Sequence, residues 1–270
     1  MSLLNTYDKI SLAFDNNEYA LGVFLDLSKA FDTVNHKILL KKLESYGIRG
    51  IPLLWFENYL LSRQQQVRCN GKLSGFLTIE HGVPQGSILG PLLFLLYIND
   101  LPNASSILHF VLFADDSNVF ASNGSYDKLF QIMNTELPLI NDWFQANRLS
   151  LNTNKTTFIL FRSHRKFVPE PTPLILIENT SIPQSKSVKF LGVILDQHLS
   201  WNAHIAQISA KVAKNIGILS RISYKIPPHV MVNLYYSLIY PYLTYCNMIW
   251  SSTYTSRLSH LVILQKKQFA

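Results

Sequence analysis

The chain has 270 residues, 48% hydrophobic and 12% aromatic with only 15% charged, which is enough apolar surface for a sizeable core and excludes an intrinsically disordered protein. Its net charge of +7 is unevenly placed: residues 1–135 carry 10 basic and 12 acidic side chains, residues 136–270 carry 14 and 5, and no Asp or Glu follows Asp196. That asymmetry suggests an extended anionic partner such as nucleic acid, while two cysteines without zinc-ligand spacing exclude a disulfide framework and fit a reducing intracellular compartment.

The N-terminus has neither a basic n-region nor a long apolar stretch, so no secretory signal is read. Residues 20–25 (ALGVFL) read as a short buried strand ending at Asp26. Residues 33–46 read as a helix with Val34, Ile38, Leu43 and Tyr46 on one side, stopped by Gly47, and Pro52 opens a second helix. Asn70-Gly71 is a strong hairpin signal within residues 66–79. A Gly- and Pro-rich loop, residues 81–87, precedes a helix running to about Asp100. Residues 107–113 and 117–121 then form two strands with Asp115 and Asp116 at their tip.

Residues 126–144 form an amphipathic helix with Leu129, Met133, Leu137, Ile140 and Phe144 in register, Pro138 being a candidate kink. Residues 156–161 and 188–195 read as strands, and residues 167–173 as a linker. From Trp201 the pattern turns helical, with Ile205, Ile208, Val212, Ile216 and Leu219 on one face. The class is therefore α+β, an α+β core followed by a mostly helical basic module. Residues 88–98 are apolar but about half the length a bilayer needs. Residues 226–256 lack Asp, Glu, Lys and Arg but are broken by Pro227, Pro228 and Pro241, so a buried or nucleic-acid-facing aromatic helix is expected there rather than a membrane span.

Three carboxylates each end or interrupt an apolar strand: Asp26, and the adjacent pair Asp115 and Asp116. An ionised acid there is costly unless it meets positive charge. A divalent cation would supply it, and two ions held about 3.5–4 Å apart are a known solution for phosphoryl transfer. The other reading is that each Asp caps a following turn. Adjacent Asp residues on a regular strand point to opposite faces, so only a tight turn at residues 114–116 would let one of them meet Asp26.

The segments FLDLSKAFD (24–32), GVPQGSILGP (82–91) and FADD (113–116) resemble, in that order, the three central motifs of reverse transcriptases, and SKAFDTVNH with GVPQGSILGPLLFLLYINDL is similar to non-LTR retrotransposons of the jockey type. The resemblance implies a polymerase palm, an antiparallel sheet with covering helices, over residues 1–196 and a helical thumb-like region over 197–270. It implies an RNA-directed DNA polymerase that adds dNMP from dNTP to a primer 3′-OH on an RNA template, using two Mg²⁺ ions or Mn²⁺ in their place. Asp26, Asp115 and Asp116 would be the catalytic metal ligands, with the Leu27 carbonyl a further one.

Phe31 stands where the family places an aromatic steric gate, and a ring there favours dNTP over NTP. Together with Ala114 before the Asp pair, it argues against an RNA-dependent RNA polymerase. Gln85 would help to position the incoming nucleotide and template base, with Pro84 and Gly86 shaping the loop. Lys155 matches the lysine of the next palm motif, suited to neutralising or protonating pyrophosphate. Phe190, Leu191 and Gly192 match the hairpin that grips the DNA primer end, and Lys211, Lys214, Arg221 and Lys225 would touch the duplex backbone. The tyrosines between 235 and 245 could stack on bases, but core packing is the preferred reading. The family places a basic fingers region before the palm, and only 25 residues precede Asp26, so the chain is expected to be a piece of a longer polymerase. A catalytically inactive nucleic-acid-binding remnant of such an enzyme is the alternative.

Overall fold

The computed structural model describes residues 2–61 and 63–267. It opens with α1 (Ser2–Asp15), an element the sequence patterns did not mark, which buries Leu3, Thr6, Ile10 and Ala13 along one face. All seven residues of β1 (Tyr19–Leu25) are buried, as a central strand requires. A short helical turn (Ala30–Asp32) leads to α2 (His36–Ser45). This helix starts later than expected because the Asn35 side chain accepts from the Ile38 amide at 3.1 Å and caps it. Of the expected face, Val34 and Leu43 are buried and Ile38 is half-buried against the first core, whereas Tyr46 is exposed and His36 and Leu39 complete the inward side.

α3 (Ile51–Leu60) has Pro52 in its first turn. Two nested ladders follow: β2 (Gln64–Gln65) pairs with β5 (Leu77–Thr78), and β3 (Arg68–Cys69) with β4 (Lys72–Leu73). Asn70 and Gly71 turn the inner ladder at φ 49° and 80°, the left-handed pair of a tight hairpin. α4 (Leu89–Ile98) is followed by β6 (His109–Phe113), β7 (Asp116–Asn123) and α5 (Tyr126–Ala146). Pro138 lies inside α5 without ending it, and the five expected apolar residues of this helix are all buried.

β8 (Thr157–Phe161) completes a four-stranded antiparallel sheet in the order β6-β7-β1-β8. Residues 167–173 are not a free linker. The Tyr19 hydroxyl donates to the Phe167 carbonyl at 2.5 Å and Val168 packs on the first core, so this segment is strapped to the sheet. A small ladder of β9 (Leu176–Ile177) and β10 (Thr180–Ser181) precedes β11 (Ser187–Phe190) and β12 (Val193–Asp196). The strand that the pattern gave over 188–195 is the hairpin that the resemblance implied, turning where Leu191 and Gly192 both take positive φ, 45° and 83°.

Five helices end the described chain: α6 (Asn202–Ile222), α7 (Pro228–Leu238), α8 (Tyr240–Thr244), α9 (Asn247–Trp250) and α10 (Thr255–Lys267). The aromatic stretch 226–256 is thus three short helices rather than one. No described helix is long and apolar enough to cross a membrane.

Strand alternation divides the interior in two. Leu21, Val23, Leu25, Val119, Phe158 and Leu160 face a first core shared with α2, α4 and α5. Ala20, Phe24, Val111, Phe120, Ile159 and Phe161 face a second core that takes in α1, the β11–β12 hairpin and residues of α6, α7, α9 and α10. The helical region therefore shares buried apolar surface with the sheet.

Candidate active site

β1 and β7 pair in a register that sets Phe24 opposite Asn118 and Leu25 opposite Ser117. The next residues outward in that register are Asp26 and Asp116, so the two acids end at the same edge of the sheet. Phe113 pairs with Asp116, leaving Ala114 and Asp115 as a two-residue turn with Ala114 at φ 52°. This is the tight turn that adjacent acids needed in order to approach a third. Burial raises the Asp116 pKa above the ordinary carboxylate value, and the charges of Asp115 and Asp26 raise it further.

The strand end that carries Asp26 is laced to the segment bearing Lys155. Asp26 N–H donates to Thr156 Oγ1 at 3.2 Å, and the Asp26 carbonyl accepts from Asn152 N at 2.8 Å. Ser28 N donates to the Ser150 carbonyl at 2.9 Å, and Leu27 bridges Leu151. Lys155 and Thr156 both donate their amides to the Asn152 carbonyl, which makes a turn with Thr156 buried and Lys155 exposed.

Phe31 is half-buried, its ring 4.7 Å from that of Phe94. The segment around it is clamped to the glycine-rich loop: Val83 N donates to the Phe31 carbonyl and Gly82 N to the Val34 carbonyl, each at 2.8 Å. Gly82 has φ +87°, and a Cβ there would lie 2.8 Å from the Asp32 carbonyl oxygen, so only glycine fits this approach. Gln85 Nε2 donates to Asp32 Oδ1 at 2.8 Å. Sequence reasoning gave Asp32 no role, although it lies within the first motif. Pro84 offers its carbonyl to Ser87 Oγ at 2.7 Å, and Gly86 takes φ +81°. Pro84 and Gln85 line a cavity of about 630 Å³ with Arg63, Gln65 and His81.

The β11–β12 hairpin reaches the same edge from the second core. Phe190 is buried, its ring 6.0 Å from that of Phe24, two residues before Asp26. At the tip, the Leu191 carbonyl accepts from Tyr245 Oη at 2.7 Å while Gly192 is exposed.

A family model described as reverse transcriptase (RNA-dependent DNA polymerase) matches residues 2–195. The chain belongs to the reverse transcriptase family. Over 272 residues it is 31% identical to a probable RNA-directed DNA polymerase from transposon X-element of Drosophila melanogaster, covering 96% of this chain and 29% of that protein. It is 28% identical to the RNA-directed DNA polymerase from mobile element jockey of the same organism, covering 94% and 28%. The chain thus spans under a third of the length of these relatives. A solved telomerase from Candida albicans, in complex with a TWJ fragment of telomeric RNA, shares the fold at a TM-score of 0.52 and 12% identity, over 98% of this chain and 52% of that one.

The family match begins within α1, so that helix belongs to the matched region together with the sheet. Beyond residue 195, Lys211, Lys214, Arg221 and Lys225 are all exposed on α6 and the turn after it. Lys211 lies 5.2 Å from the Tyr242 ring centroid. The expectation that the tyrosines of this region pack in the core holds for Tyr235, whereas Tyr236, Tyr240, Tyr242 and Tyr245 are exposed.

Proposed function

We propose that the chain is the palm and thumb of an RNA-directed DNA polymerase that copies an RNA template onto a DNA primer. The observation that carries this reading is the β1–β7 register, which brings Asp26 and Asp116 to the same end of the sheet with Asp115 in the adjoining turn. The primer 3′-oxygen forms a bond to the α-phosphorus of dNTP as the bond to the bridging oxygen breaks, the 3′-hydroxyl proton leaves, and pyrophosphate departs.

Reverse transcriptases generally use divalent metal ions, and hard carboxylate oxygens, at a position where burial and then the neighbouring acids raise the Asp116 pKa, suit such an ion. As they stand, no three His, Cys, Asp or Glu side chains among the described residues are gathered to hold one. Asp26, Asp115 and Asp116, with the Leu27 carbonyl, would hold two Mg²⁺ or Mn²⁺ ions. When bound, the ions would acidify the 3′-hydroxyl and offset charge on the phosphates.

The remaining proposed roles belong to the chain itself. Gln85, held by Asp32 between Pro84 and Gly86, presents its amide to the nucleotide and template base. The Phe31 ring blocks a ribose 2′-hydroxyl. Lys155 places its ammonium near the departing pyrophosphate. Leu191 and Gly192, at the hairpin tip that buried Phe190 anchors against Phe24, seat the primer end, and Lys211, Lys214, Arg221 and Lys225 meet backbone phosphates.

Asp115→Ala in the intact protein should lower primer extension on an RNA template by about a thousandfold or more with the fold unchanged. Equal extension would remove the carboxylates from the chemistry. Phe31→Ala should raise NTP incorporation relative to dNTP, and an unchanged ratio would remove Phe31 from sugar selection.

A further inference from the structure

Nucleotidyl transfer as described above makes no use of α3, yet this helix carries a stacked aromatic pair of which Trp55 is exposed. Trp55, Tyr59 and Arg63 recur every fourth residue, the spacing of one helical stripe that runs off the C-terminal end of α3. The Trp55 and Tyr59 rings are 9° from parallel with centroids 5.5 Å apart, and the Arg63 guanidinium lies 5.2 Å from the Tyr59 centroid. Trp55 is 53% exposed, and Ile51 and Leu54 beside it are exposed as well. At its Arg63 end the column adjoins the cavity that Gln65, His81 and Gln85 line, with Asp32 on the same wall and its Oδ1 held by Gln85. Among the described residues Arg63 makes no ion pair.

An occupant of this surface has to offer flat π-faces to Trp55, negative charge to Arg63 and polar edges to the Gln65 and Gln85 amides. Single-stranded nucleic acid offers all three, because every base has a stacking face and every linkage a phosphate. The Arg63 charge and the two amides at the same cavity are what favour a phosphate-bearing strand over a purely apolar covering segment. We propose that the Trp55–Tyr59–Arg63 column binds the unpaired template strand before it enters the duplex. The proposal rests on the polymerase reading, since that reading puts the template base at Gln85.

The test uses fluorescence anisotropy with two DNA-primer/RNA-template duplexes, one blunt and one carrying a 5′ template extension of about eight nucleotides. Stacking on an aromatic side chain should make the extended duplex bind about tenfold more tightly than the blunt one. Trp55→Ala should abolish most of that gain with blunt-duplex affinity unchanged, and Trp55→Phe should keep part of it. Arg63→Ala should reduce the gain and flatten its salt dependence. An undiminished gain in Trp55→Ala overturns the column while leaving the carboxylate site standing. If the unaltered protein binds neither duplex, the column and the polymerase reading both fall. If Trp55→Ala alters only the oligomeric state, the face is a protein contact and the proposal is wrong.

Discussion

His204 ties the first turn of α6 to β12, and it makes the helical region sensitive to acid. Its Nδ1 accepts from the Ile194 amide at 3.3 Å, so the neutral ring carries its proton on Nε2, which is buried without a partner. The residue is 3% exposed, with the Trp250 ring edge-on at 5.7 Å. Burial, and then the charge of Lys211, push its pKa down from 6.5 to about 4. Between those values the unfolded chain takes up a proton that the native ring refuses, so stability is full above pH 6.5 and is lost as pH falls toward 4. At 1.36 kcal/mol per pH unit the separation bounds the loss at about 3 kcal/mol, of which about 2 kcal/mol falls between pH 7 and pH 5. Urea unfolding followed by tryptophan fluorescence at those two pH values measures it. His204→Asn keeps an acceptor near the Nδ1 position but does not titrate, so the unaltered chain should lose about 2 kcal/mol more than the variant over that interval. Equal losses in the two proteins would refute the assignment.

Two further substitutions test the contacts that hold the site. Gly82→Ala puts a Cβ against the Asp32 backbone at a positive φ and should cost about 2–4 kcal/mol in denaturant unfolding; a loss within measurement error would show that the loop can withdraw from Asp32. Lys42 donates to Asp100 Oδ1 at 2.5 Å and to the Tyr97 carbonyl at 2.6 Å, with its ammonium over the Tyr97 and Trp143 rings. Burial outweighs the Asp100 charge and lowers its pKa. Lys42→Met keeps the stem but strands the carbonyl, and should cost about 1–3 kcal/mol by the same measurement.

What the sequence disclosed follows the range over which each signal acts. The α5 stripe and the Asn70-Gly71 turn are local patterns, and both stand as read. α1 escaped because a core position is filled by Thr6, whose hydroxyl hides from its surroundings by donating to the Ser2 carbonyl at 3.1 Å. Around α2, Val34, Ile38 and Leu43 meet the core as read, but the burial of His36 was not legible because it depends on the Gly82 carbonyl 2.7 Å away and distant in sequence. The Gln85–Asp32 bond belongs to the same kind: each residue sits in a recognisable motif, but only the antiparallel sheet and the Gly82 contact bring the motifs together. Exposure of Tyr236 and Tyr242 was not legible either, because the sequence left stacking on bases and core packing both open for these rings.

The charge asymmetry acquires a physical sense once the acids are followed individually. Asp100 is engaged by Lys42 and Asp32 by Gln85, so neither adds freely to a negative surface. Asp196, the last acid of the chain, accepts from the amides of His198, Ser200 and Trp201 and from the Ser200 hydroxyl, and its charge is absorbed in capping the turn before α6. The helices beyond it therefore present Lys211, Lys214, Arg221 and Lys225 with no carboxylate side chain of their own segment to compete for phosphate. Asp26, Asp115 and Asp116 are different. They remain close enough to raise the pKa of Asp116, an arrangement that costs stability and that folding alone gives no reason to keep. Repulsion retained at one end of the sheet, with acids missing from the helical segment that follows, is the distribution expected of a surface that holds a polyanion broadly and divalent cations at one place.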